Sequence, residues 1–290
     1  MGIEAEGGPE ISLLGRDVQV RRVRPRVVLA LLLGASLAGV WLSNLGASVP
    51  ARAVTWATVV AVGALAGGLY WRVALFDPEA FDESTDRRAV ERRWARVEAV
   101  AVWAFALSGA GYLVLDQRGG AAGFAAVALG VGCVSVPVLW FARRRATAER
   151  SRRRARALRS LALLAVAVAL GALAWIETGT TAIAWAVRLG HLGAVSLWLG
   201  GAVWHNFVVL PTVRASPGLG PVLKAQARRF RRHLPAVVPV VLATGAYQTD
   251  RLLGLSVPAL LGSRIGHLVA FKVAVLTVLT GLVVASVRRG

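Results

Sequence analysis

Long apolar runs separated by short polar segments dominate the sequence. Eight runs approach or exceed the roughly 20 apolar residues that carry an α-helix across a bilayer. They are Val27–Gly46, Val54–Trp71, Ala99–Leu115, Ala121–Phe141, Leu161–Ile176, Ala182–Leu210, Leu234–Leu253 and Ile265–Val287. The pattern predicts an all-α polytopic membrane bundle of eight transmembrane helices, with the lipid bilayer as its surroundings.

The first run has a second interpretation, because basic residues precede it and Ala51, Arg52 and Ala53 resemble a signal-peptide cleavage site. Its apolar stretch is longer than the roughly 7–15 residues of a signal peptide, so we predict a retained span. An even number of spans places both termini on the same side of the membrane.

The distribution of positive charge predicts how the spans are oriented in the membrane. Lys and Arg number 34 against 15 Asp and Glu, a formal net charge of +19. Of the 34, 28 lie in the N-terminal segment, the C-terminus and alternate loops, whereas the other loops hold only Arg52, Arg118, Arg251 and Arg264. By the positive-inside rule, both termini are cytoplasmic and the protein is a multi-pass protein of the plasma membrane. The basic balance thus indicates orientation, and no nucleic-acid partner is expected.

The sequence also contains an internal repeat pattern. At an offset of 133 residues, Gly67, Gly68, Trp71 and Pro78 align with Gly200, Gly201, Trp204 and Pro211, and at 136 the segment Arg92–Arg96 aligns with Arg228–Arg232. This predicts two parallel four-helix repeats. We expect a cytoplasmic segment at 1–26, a scaffold repeat at 27–159 and a second repeat at 160–290.

The ionisable residues inside spans concentrate in the second repeat. It holds all four histidines and both intramembrane cations, Arg188 and Lys272. Helical periodicity and topology predict an outer set, His191, His267 and Lys272, and an inner set, His205 and His233. Ionisable groups within a membrane are costly and indicate function by default, although interfacial hydrogen bonding is the alternative for each histidine except the deeper His191.

Three segments resemble the CopD copper-resistance family. RLGHLGAVSLWLGGAVWHNF, from Arg188, resembles its histidine and W-x-G-G helix, and RRFRRHLPAVVPVVLATGAYQT resembles its loop and T-G-x-Y span. GHLVAFKVAVLTVLTG is similar to its lysine helix, with Lys272 on the family lysine and His267 where its arginine stands. The resemblance covers Arg188–Gly290 and makes the second repeat CopD-like. It implies copper homeostasis by transport, rather than an enzyme, and a periplasmic or extracellular copper-binding partner.

Two features favour other interpretations. Cys133 is the single cysteine and Met1 the single methionine, so soft sulfur ligands for copper are absent and imidazoles, His191 with His267 first, must supply them. HemJ-type haem-binding membrane proteins are more distantly similar, although their H-x-K pattern fails at Ala270. The rival function is therefore a haem b-binding membrane redox protein, with histidines as axial ligands and Arg188, Lys272 and Trp198 contacting the cofactor. A cofactor-free scaffold is the third hypothesis.

Overall fold

The computed structural model describes residues 25–44, 47–81, 84–115, 123–145, 152–179, 181–254 and 256–288. In these ranges the chain is almost entirely helical, with short turns between helices, and forms no strand. The predicted cytoplasmic segment, apart from its last two residues, lies outside them. The helices are α1 (Pro25–Ser43), α2 (Val49–Tyr70), α3 (Ser84–Leu115), α4 (Gly123–Arg145), α5 (Arg152–Thr178), α6 (Ala182–Trp204), α7 (Leu210–Ala215), α8 (Gly220–Arg231), α9 (Leu234–Leu253), α10 (Val257–Gly262) and α11 (Arg264–Arg288).

Seven helical segments are long and apolar enough to cross a membrane, counted over the described ranges. They are Pro25–Leu42, Val49–Leu75, Arg87–Leu115, Gly123–Arg145, Arg153–Thr178, Ala182–Ala215 and Arg264–Leu282. The chain therefore has the architecture of a multi-pass helical membrane protein, as its apolar runs predict.

The predicted seventh span, Leu234–Leu253, is present as α9 but is not one of those seven segments. Its second half carries Thr244, Gln248, Asp250 and Arg251, which lower its hydropathy. At 20 residues it is about 30 Å long, the thickness of the hydrocarbon core. The count of eight spans thus remains a prediction.

The α2 and α6 helices form the central contact. A Cβ atom at Gly67 would lie 2.6 Å from the Gly200 Cα, so only glycine allows this backbone approach. One turn further on, Trp71 stacks on Trp204 with ring centroids 3.9 Å apart. Each helix then continues through a π-helical turn, Trp71–Leu75 after α2 and His205–Val209 after α6.

Two packed bodies flank this contact. Helices α2 to α5 enclose one apolar core around Val62, Phe105 and Leu173. A second core, which contains Trp198, is built from α1, α6, α9 and α11. Although it belongs by sequence to the first predicted repeat, α1 therefore packs against the second.

Candidate functional site

A cavity of about 1140 Å³ lies between α1, α6, α9 and α11. Most of its wall is apolar, with Leu242 and Leu276 as examples, and polar side chains enter at few points. The volume lies just above the ~300–1,000 Å³ typical of small-molecule sites, and the apolar lining suits a large, mainly apolar occupant. The polar groups in the wall therefore decide what such a ligand is.

His191 is the first of these groups and is 8% exposed. Its Nδ1 lies 2.9 Å from the hydroxyl oxygen of Thr244 on α9. The Thr244 hydroxyl lies 2.5 Å from the Val240 carbonyl, and when it donates its single hydrogen there its oxygen accepts from His191 Nδ1–H. In the neutral imidazole, Nε2 consequently carries the lone pair and can act as a metal ligand or a proton acceptor.

Arg188, one turn before His191, is held in a buried polar network. Its guanidinium pairs with Glu177 at the end of α5, with Nε 2.5 Å from Oε2, and Nη1 donates to Gln248 Oε1 at 2.9 Å. The side chains of Arg188 and Glu177 are 9% and 2% exposed. Glu177 therefore balances the charge of Arg188, the cation that the sequence predicts to contact a cofactor.

The same network orients Gln248. Because guanidinium only donates, the oxygen of the Gln248 amide must face Arg188, and its nitrogen is directed away. That Nε2 is buried, has no hydrogen-bond partner among the described residues, and belongs to a side chain in the cavity wall. Gln248 thus keeps a buried, unpartnered N–H in a side chain that lines the cavity.

Lys272 brings the cationic group to this wall from α11. A methyl group at Gly39 on α1 would lie 3.2 Å from Lys272 Nζ, so the amine lies against the α1 backbone. The wall therefore combines His191 and Lys272, two members of the predicted outer set.

The remaining candidates lie elsewhere. His267 is exposed and its Nε2 contacts the Leu261 carbonyl at 2.8 Å. His205 opens the π-helical turn after α6, His233 precedes α9 with Nδ1 3.0 Å from the Arg229 carbonyl, and Trp198 is a core residue. His205 is 14 residues from His191 on one helix, about 21 Å along its axis. The inner candidates thus do not share the cavity with His191.

Sequence reasoning missed three residues of the site: Glu177, Thr244 and Gln248. Glu177 falls one residue beyond the predicted fifth span, and Gly179, with φ of 68°, turns the chain so that α6 packs against α5. A short turn between two helices, with Glu177 before it and Arg188 after it, is the sequence signal that could have predicted this ion pair. Thr244 and Gln248 are four residues apart and so share a face of α9, but their partners are tertiary contacts.

The described part of the chain has no group of three or more His, Cys, Asp or Glu side chains that could hold a metal ion. At the cavity, His191 is the potential metal ligand. A bare metal ion that needs several protein ligands therefore fits these residues less well than a metal held in a cofactor that supplies most of its ligands.

Comparison with known proteins gives no relative from which a role could be transferred. No protein-family model, no curated protein and no solved structure matches this chain.

Proposed function

We propose that this membrane protein binds haem b in the cavity, where His191 would hold the iron. The main support is the His191–Thr244 hydrogen bond. It leaves the His191 Nε2 atom available as a ligand, and His191 lines a large apolar cavity. Metal-ligating histidines usually donate the other ring N–H in this way, which fixes the ring orientation. A bound haem would supply one-electron redox chemistry.

The donor set favours haem over a bare copper ion. A porphyrin supplies four nitrogen ligands, so one or two protein side chains complete the iron coordination. Copper would need further imidazoles beside His191, whereas His267 is engaged with a backbone carbonyl. Copper homeostasis, as the CopD resemblance implies, is the second candidate, favoured by the same oriented imidazole.

The polar donors of the wall suit the carboxylates of haem. Lys272 offers a positive charge, while Arg188 holds the Gln248 amide in the same wall. Charge-assisted hydrogen bonds of this kind are stronger than neutral ones.

The proposal includes eight spans, cytoplasmic termini and a location in the plasma membrane. Three contacts support α9 as the additional span: Gly201 with Phe230, His191 with Thr244, and Arg188 with Gln248. In this order the pairs run backwards along α6, from Gly201 to Arg188. They run forwards along the chain that leads into α9, from Phe230 to Gln248. The chain therefore returns antiparallel to α6 over most of its length.

The proposal also includes a duplication of four helices. Its support is the pairing of aligned positions with each other, Gly67 with Gly200 and Trp71 with Trp204. A Cβ at Gly68 would strike Trp94, and one at Gly201 would strike the aligned residue Phe230. Aligned glycines thus accommodate aligned aromatic rings.

The test is the visible spectrum of the purified full chain with added hemin, measured beside its metal content. The wild type is expected to show a Soret band that His191→Ala loses and His267→Ala keeps. Near-stoichiometric copper without haem would overturn the haem proposal in favour of copper. A chain that takes up neither would favour the scaffold.

A further inference from the structure

A second cluster of charges lies far from the cavity, where the chain leaves α2. Arg72 is in the π-helical turn Trp71–Leu75, and its side chain is 7% exposed. Its Nε and Nη1 are buried and have no hydrogen-bond partner among the described residues. A buried guanidinium with two unsatisfied nitrogens is unfavourable, so an acceptor from outside the described chain is expected here.

The neighbouring carboxylates are already shared. Glu91 Oε1 lies 3.8 Å from Arg72 Nη2, beyond hydrogen-bond distance, and 3.3 Å from Arg87 Nε. Glu98 pairs with Arg143 at 2.5 Å. Neither carboxylate therefore satisfies the two free nitrogens of Arg72.

A fourth arginine adds to the imbalance. Arg159 on α5, which packs against this turn, is electrostatically coupled to Arg72 and to both carboxylates, Glu91 and Glu98. Among the side chains that the structure describes, four guanidinium groups (Arg72, Arg87, Arg143 and Arg159) therefore share two carboxylates, so positive charge is in excess.

The position of Arg72 in the membrane indicates which kind of anion could reach the cluster. The π-helical turn continues a membrane-spanning helix beyond Tyr70, and α5 packs against it. The apolar run predicted for the second span ends at Trp71 and the membrane-spanning segment of the structure ends at Leu75, so Arg72 lies in the last turn of the span, next to the headgroup region where lipid phosphates are found. Guanidinium groups match phosphate oxygens with paired, charge-assisted hydrogen bonds.

We propose that Arg72 and Arg159 form a binding site for the phosphate of an anionic phospholipid headgroup. The lipid supplies the acceptors that Arg72 lacks and balances the positive charge of the cluster. This site is independent of the cavity and of its proposed ligand.

The test uses the delipidated full chain in detergent, titrated with phosphatidylglycerol or phosphatidylcholine and analysed by native mass spectrometry. The wild type should retain phosphatidylglycerol in preference to phosphatidylcholine. Arg72→Gln should weaken phosphatidylglycerol binding about tenfold, the size of one charged hydrogen bond. Arg159→Gln should also weaken phosphatidylglycerol binding. If Arg72→Gln does not fold, the Arg159→Gln variant alone tests the proposal.

The matched control is Arg156→Gln, on an exposed position of α5 one turn before Arg159. It removes the same charge, so a general electrostatic attraction would fall equally in all three variants. Unchanged phosphatidylglycerol binding in both Arg72→Gln and Arg159→Gln overturns the proposal. Inorganic phosphate provides the second arm: binding that requires Arg72 but does not compete with phosphatidylglycerol would assign the site to a soluble anion and overturn the lipid proposal.

Discussion

His191 Nδ1 and the Thr244 hydroxyl form a hydrogen bond of 2.9 Å across the contact between α6 and α9. This hydrogen bond selects the imidazole nitrogen that remains available to a ligand. Its consequences can be measured separately from those of the imidazole itself.

Thr244→Val should weaken haem binding about 10- to 100-fold, the usual effect of removing the partner of a metal-ligating histidine. The valine has nearly the same shape but cannot accept the hydrogen bond. Titration of the purified chain with hemin measures the change. Thr244→Ser retains the oxygen and should bind like the wild type, and equal affinities of the Ser and Val variants would contradict the role given to this bond.

Lys272→Met should weaken binding of hemin more than binding of its dimethyl ester. The lysine amine attracts carboxylates, and the ester lacks them, so only hemin loses an interaction. Parallel titrations of both compounds give the comparison. An equal loss for the two would mean that Lys272 shapes the cavity without pairing with a carboxylate.

Glu177→Gln should lower the free energy of unfolding by about 3–5 kcal/mol, because it leaves the buried Arg188 without its counter-charge. Reversible unfolding in mixed detergent provides the measurement. A Glu177→Met, Arg188→Met double variant should be much closer to the wild type, since it removes both charges together. If the single and double variants were equally destabilised, the penalty would come from lost packing.

Gly67→Ala should destabilise the protein by about 1–3 kcal/mol, since the added methyl group forces α2 and α6 apart. Gly193→Ala on α6 is the control, because a Cβ there meets nothing within 4 Å. This second substitution should be neutral or stabilising, as alanine is the better helix former. The two glycines thus predict effects of opposite sign in the same unfolding assay.

Much of the fold could be predicted from hydropathy, but the lengths of the helices could not. The run Ala99–Leu115 is only the second half of α3, which begins at Ser84, and α5 begins at Arg152, nine residues before its apolar run. Arginine is a good helix former, so helices continue beyond their apolar segments. Hydropathy marks the part that can enter lipid, whereas backbone propensity determines where the helix ends.

The site was predictable only where an ionisable side chain interrupts an apolar run. His191 and Lys272 stand out in apolar sequence, and topology places them at similar depth. Thr244 and Gln248 carry no charge, and their roles depend on which face of α9 meets α6. Such a pairing is a tertiary contact, which a single sequence does not specify.

The cavity joins segments that are distant in the chain. Gly39 and Lys272 meet at its wall, one from the first described helix and the other from the last. During synthesis, α1 enters the membrane long before α11 emerges from the ribosome. The wall where Gly39 and Lys272 meet therefore cannot form until α11 has been inserted, so a ligand that contacts Lys272 would bind only after α11 has left the ribosome.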